Sequence, residues 1–124
     1  MIRGIEHTAI ASSNPGALAE WYADTLGFVI NYRGSTAFFV KAPDGSMIEI
    51  IPAEGERDGN TLKTPGLRHL ALAVTDFDAV YAGLQAKGVQ FVSEPLFAKG
   101  NKLVFFTDPE GNYLHLLERE TPLP

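Results

Sequence analysis

A chain of 124 residues, 45% hydrophobic and 20% charged, has the size and composition of one domain with a sizeable core. Its net charge of −5 provides no basic face to displace counterions from phosphates, which argues against a nucleic-acid or anionic-membrane partner. It has no cysteine, which excludes a disulfide framework, a thiolate metal site and a cysteine nucleophile.

The opening MIRGIEHTAI has neither the apolar core nor the cleavage site of a signal peptide, and no apolar run is long enough to span a bilayer. The expected location is cytoplasmic. GIEHTAIAS at 4–12 alternates as a strand, and NPGALAEWYADTLG at 14–27 predicts a helix. Asn14 suits its N-cap, Pro15 its first position and Gly27 its exit. Leu18, Trp21, Tyr22 and Leu26 form its apolar stripe. FFVKAPDGSMIEIIP at 38–52 is β-rich, and its Pro-Asp-Gly at 43–45 marks a hairpin turn. The polar, Gly- and Pro-rich stretch at 53–65 reads as a linker.

The pattern then repeats. GLRHLALAV at 66–74 matches the first strand, with Gly66 over Gly4, His69 over His7 and Ala71 over Ala9. TDFDAVYAGLQAKG at 75–88 predicts a second helix, capped by Thr75 or Asp76, with Phe77, Val80 and Leu84 as its stripe and Gly88 as its stop. VFFTDPEGNYLHLLE at 104–118 lies over 38–52, with Pro-Glu-Gly at 109–111 as its turn. A single domain, 1–124, is therefore expected to hold two strand–helix–three-strand modules, at 1–52 and 66–119.

Superposing the halves puts Glu49 on His115, so all three histidines and one carboxylate fall on matched positions. Alternation places His7 with Ile5 and Ala9, and His69 with Leu67 and Ala71. It likewise groups Met47, Glu49 and Ile51, and Tyr113, His115 and Leu117. The opposite faces, carrying Ile48, Ile50, Leu70, Leu72, Val74, Leu114 and Leu116, are the natural seats for the helices. Three imidazoles and a carboxylate suit a divalent transition metal (zinc, nickel, iron, cobalt or manganese), whereas magnesium and calcium favour oxygen donors. With a ligand charge of about −1 such a metal remains a strong Lewis acid. The competing reading gives each histidine a separate structural role. Glu118 ranks below His115 as a ligand because it lies on the opposite strand face. Met47, Tyr113, Phe39 and Phe105 are candidate substrate contacts beside the metal, with core packing as the alternative for the two Phe. FAKGNK at 97–102, carrying Lys99 and Lys102, reads as a solvated hairpin loop or as a lid for an anionic substrate. Arg33 and Arg68 are weaker candidates of the same kind.

The duplicated plan, His7 and His69 in matched G-x-x-H-x-A strands, and DPEGNYLHLLE at 108–118 resemble the vicinal oxygen chelate superfamily, from Ile2 to about Glu118. That superfamily includes glyoxalase I, fosfomycin resistance proteins, extradiol dioxygenases and bleomycin resistance proteins. The resemblance implies an α+β fold in which two tandem βαβββ modules form a U-shaped, eight-stranded mixed sheet around a metal. Bacterial glyoxalase I proteins use His, Glu, His and Glu; His7, Glu49 and His69 match, and His115 replaces the last Glu. The implied activity is that of a metal-dependent lyase or isomerase that stabilises an enediolate of a small oxygen-rich substrate. In glyoxalase I the terminal carboxylate is also the base, and Glu49 would take that role here. The alternatives are a non-catalytic drug- or metabolite-binding protein and an iron-dependent extradiol-type dioxygenase. A homodimer is expected.

Overall fold

The computed structural model describes residues 1–57 and 59–124, and its backbone divides into two compact units, Met1–Glu56 and Arg57–Pro124. Asp58, inside the expected 53–65 linker, lies outside the described residues.

The first unit runs β1 (His7–Ser12), α1 (Pro15–Leu26), β2 (Val29–Arg33), β3 (Phe38–Lys41) and β4 (Met47–Pro52). Its sheet has the order β1-β4-β3-β2, with β1 and β4 parallel and the other neighbours antiparallel. The helix starts and stops where local chemistry dictates. Asn14 Oδ1 accepts the Ala17 N–H at 3.1 Å, and Pro15 follows where its missing donor is not needed. Gly27 then adopts φ 79°, a left-handed conformation costly for other residues, and its N–H closes on the Ala23 carbonyl at 3.1 Å. Strand alternation turns Ile10, Val40, Ile48 and Ile50 toward α1, where Leu18, Ala19 and Tyr22 complete a buried layer. Each large side chain in it contributes about 1.5–3 kcal/mol by leaving water. Trp21 and Leu26, expected in the stripe, are only half-buried.

The second unit runs β5 (His69–Ala73), α2 (Phe77–Ala86), β6 (Gln90–Phe91), β7 (Leu96–Ala98), β8 (Asn101–Thr107) and β9 (Tyr113–Arg119). Again the first and last strands, β5 and β9, are parallel neighbours, in the order β5-β9-β8-β6. β7 pairs with β8 as well. The expected eight strands are therefore nine among the described residues, because the strand preceding β8 is broken. Phe91 pairs with Phe106 and Leu96 with Leu103, so five steps on one strand face three on the other. Pro95, which has no N–H for the ladder, falls in the break. Val104, Phe106, Leu114 and Leu116 form the buried face with Phe77 and Leu84 of α2. Leu70, Leu72 and Val74 are half-buried.

Of the two expected caps Asp76 is used, its Oδ1 accepting the Ala79 N–H at 3.4 Å. A second carboxylate joins it: Glu118 Oε1 accepts the N–H of Phe77, the first residue of α2, at 3.1 Å. Arg57 and Asn60 are bound to the turn before β9. Arg57 Nη2 donates to Asn112 Oδ1 at 2.6 Å, Asn60 Nδ2 to the Gly111 carbonyl at 3.0 Å, and the Tyr113 hydroxyl to the Asn60 carbonyl at 3.2 Å. That turn is built on the buried Asp108, whose Oδ1 accepts the N–H groups of Glu110 and Asn112 at 2.9 and 3.0 Å. No helix among the described residues is long and apolar enough to cross a membrane.

Glu118 is thus a helix cap. Glu118→Ala should lower the stability of the protein by about 1 kcal/mol, read as a shift in the urea midpoint, without reducing its metal uptake. A variant of native stability would refute the capping role.

Candidate metal centre

Parallel pairing of the outer and last strands fixes the candidate ligands in each unit. In the first, His7 pairs with Met47 and Ala9 with Glu49, so His7 and Glu49 stand diagonally on one sheet face. His7 Nε2 lies 3.6 Å from Glu49 Oε1. In the second, His69 pairs with Tyr113 and Ala71 with His115, the same register, and the two imidazole centroids are 4.5 Å apart at 68°. Phe39 and Phe105 are the antiparallel partners of Glu49 and His115.

Those two rings hold the imidazoles. Phe39 meets His7 edge-on at 5.3 Å. Phe105 stacks on His115 at 4.8 Å and 22° and meets His69 edge-on at 5.3 Å. Such contacts narrow the rotamers open to the imidazoles. Within each unit the candidates form a pair. Among the described residues no group of three or more metal-capable side chains is gathered.

The electrostatic setting differs between the pairs. His115 is only 8% exposed, and burial pushes its imidazole down to about 4, with the positive charges of His69 and Arg119 adding to the effect. At neutral pH it is therefore uncharged, the form that ligates. Its Nδ1 is buried with no hydrogen-bond partner, a costly state that a bound cation or donor relieves. His7 is more open, and its Nδ1 lies 2.6 Å from Glu6 Oε1. A neutral His115 and a His7 with one nitrogen engaged and the other facing a carboxylate fit a divalent metal of the imidazole-binding kind.

The remaining candidates have identifiable contacts. Met47 Sδ accepts a long hydrogen bond from Asn31 Nδ2 at 3.4 Å, and Tyr113 is tied to Asn60. Residues 97–102 form the β7–β8 hairpin, in which Lys99 and Gly100 take φ of 53° and 75° at the tight turn. Lys102 Nζ stands 3.8 Å from Asp78 and 5.8 Å from the Phe97 ring centre. Arg33 pairs with Glu20 at 3.1 Å, and Arg68 Nη1 donates to the Thr61 carbonyl at 2.9 Å. Sequence reasoning passed over Glu6 and Asn60. Glu6 is a charged neighbour of His7, but strict alternation sends it to the opposite face; it reaches the ring because it precedes the regular strand.

Residues 4–116 match the model of the Glyoxalase/Bleomycin resistance protein/Dioxygenase superfamily, and the chain belongs to that superfamily, also called the vicinal oxygen chelate superfamily. It is similar to the uncharacterized protein YaeR of Escherichia coli (strain K12), with 29% identity over 134 residues, covering 95% of this chain and 98% of the relative. A solved glyoxalase family protein from Enterococcus faecalis is 28% identical at a TM-score of 0.80, covering 94% of this chain and 98% of that one. The solved oxidase ChaP-H2 is 25% identical at a TM-score of 0.76, covering 96% of this chain and 95% of its own.

Because the His115 imidazole is held below its ordinary value of 6.5, folding favours its neutral form. Its contribution is complete above about pH 6.5 and is lost as the pH falls toward 4. In the chelator-treated protein the native chain should lose up to about 3 kcal/mol more across that window than His115→Gln. Parallel urea midpoints for the two chains from pH 7 to 4 would contradict this.

Proposed function

We propose that this protein is a metal-dependent lyase or isomerase acting on a small oxygen-rich substrate, with His7, Glu49, His69 and His115 as metal ligands. The observation that carries the reading is the matched register: Glu49 and His115 each lie between an alanine and a phenylalanine that turn them the same way. Duplicated positions that both carry donor side chains argue for a shared task rather than for separate structural roles.

A bound divalent metal supplies the Lewis acidity that polarises a carbonyl. The chain's own residues do the rest. His115, uncharged through burial, offers a lone pair at neutral pH, and Phe39 and Phe105 pack against the imidazole rings. Glu49, the one carboxylate of the set, is the proposed base: with its carboxylate swung away from ligation it takes a proton from the carbon beside the carbonyl and returns it. Met47 and Tyr113, the register partners of His7 and His69, are the proposed substrate contacts together with the two phenylalanines. Lys99 and Lys102 are proposed to meet an anionic group, Lys102 exchanging its long contact with Asp78 for it. The proposal takes the protein as a cytoplasmic homodimer with a small-molecule substrate, consistent with its acidic composition.

A second reading has a specific observation behind it. The whole-chain likeness to ChaP-H2, named an oxidase, favours oxidation chemistry, with an iron-dependent dioxygenase as its proposed form. A ligand set with three imidazoles does not exclude iron. A third, sequestration of a drug or metabolite without turnover, needs no ligand set at all.

Elemental analysis of the dialysed protein, after incubation with zinc, nickel or iron, separates these readings. About one metal per chain is expected in the native protein, with uptake sharply weakened in both His7→Ala and His115→Ala. Turnover of a 2-oxoaldehyde–thiol adduct without oxygen consumption supports the lyase, and oxygen uptake supports the oxidase. No metal uptake under any condition would overturn both enzymatic readings.

A further inference from the structure

We infer that Glu6 is a positioning residue that sets the tautomer of His7 and so presents one nitrogen, Nε2, for ligation. The inference rests on the proposal that His7 is a metal ligand, and it assigns the carboxylate that orients that ligand.

The geometry is direct. Glu6 Oε1 lies 2.6 Å from His7 Nδ1, a short hydrogen-bond distance for a nitrogen–oxygen pair. An ionised carboxylate can only accept, so Nδ1 carries the proton. The lone pair of the neutral ring is then on Nε2, the nitrogen that faces Glu49 Oε1 at 3.6 Å. A histidine side chain free in water favours the other tautomer, with its proton on Nε2, so a chain that needs the Nε2 lone pair gains from an acceptor at Nδ1. The Phe39 ring, edge-on to His7 at 5.3 Å, fixes the ring plane but has no acceptor to choose between the nitrogens. Tautomer choice therefore falls to Glu6.

Exposure points the same way. The Glu6 side chain is 71% exposed and that of His7 37%, a setting in which an ion pair adds little to stability. Its use is in orientation. The other half of the duplication lacks the device: the residue before His69 is Arg68, whose guanidinium turns away to Asn60 and Thr61. His69 is instead packed between Phe105 and His115. The two first-strand histidines are thus held by different means.

The test uses the full chain, as native protein, Glu6→Ala and Glu6→Gln. Long-range nitrogen–proton NMR on the metal-free protein in alkaline buffer reads the His7 tautomer, and zinc titration reads affinity. Native His7 should carry its proton on Nδ1, and Glu6→Ala should move it to Nε2 with a loss of affinity of roughly 10- to 100-fold. Glu6→Gln, whose amide oxygen still accepts from Nδ1, should keep the native tautomer and recover most of the affinity. Native His7 protonated on Nε2, or a Glu6→Ala chain with the native tautomer and affinity, would overturn the inference. If the native chain takes up no zinc, the metal reading fails by itself, and the tautomer comparison alone decides the orienting role.

Discussion

The parallel pairing of the first and last strand in each unit is the constraint on which everything else depends. In β1 and β4, and again in β5 and β9, it sets an alanine opposite the candidate ligand and a histidine two residues upstream. A slip of one residue would turn Glu49 and His115 onto the helix-packed face and bring Ile48, Ile50, Leu114 and Leu116 out of the core. The core therefore enforces the site. The buried layers under α1 and α2 fix the register, and the register fixes which side chains share the open face.

On that common frame the two halves have diverged in the chemistry they support. The first unit carries a carboxylate at the matched position, a rather open histidine and a second carboxylate behind it. The second carries an imidazole kept neutral by burial, between a phenylalanine and another histidine. His115 stands where the resemblance to glyoxalase I implies a terminal carboxylate, which is why the proposed base is Glu49. The proposed set of three imidazoles and one carboxylate suits metals that accept several imidazoles.

Much of this was legible in the sequence, where the determinants are local. Asn14, Pro15 and Gly27 announce α1 because capping and left-handed geometry are properties of a few adjacent residues. That His7 shares a sheet face with Glu49, and His69 with His115, follows from period-two alternation and the internal repeat. What escaped depends on distant pairings or local irregularity. Glu118 could be placed on the face opposite His115, but its bond to the Phe77 N–H spans 41 positions. Residues 57–65 have the composition of a linker, yet Arg57 and Asn60 bind the turn at Gly111 and Asn112, more than fifty residues away. The break at 92–95 contains a visible Pro95, but only the pairing to β8 shows that it splits a strand.

The central proposal is that His7, Glu49, His69 and His115 serve as ligands of one divalent transition metal. X-ray absorption at the metal edge of the zinc- or nickel-loaded native protein tests it most directly. The account predicts a first shell with three imidazoles and oxygen donors at roughly 2.0–2.2 Å, and one fewer imidazole in His115→Ala. A shell with one imidazole or none, or one unchanged in the variant, would contradict it.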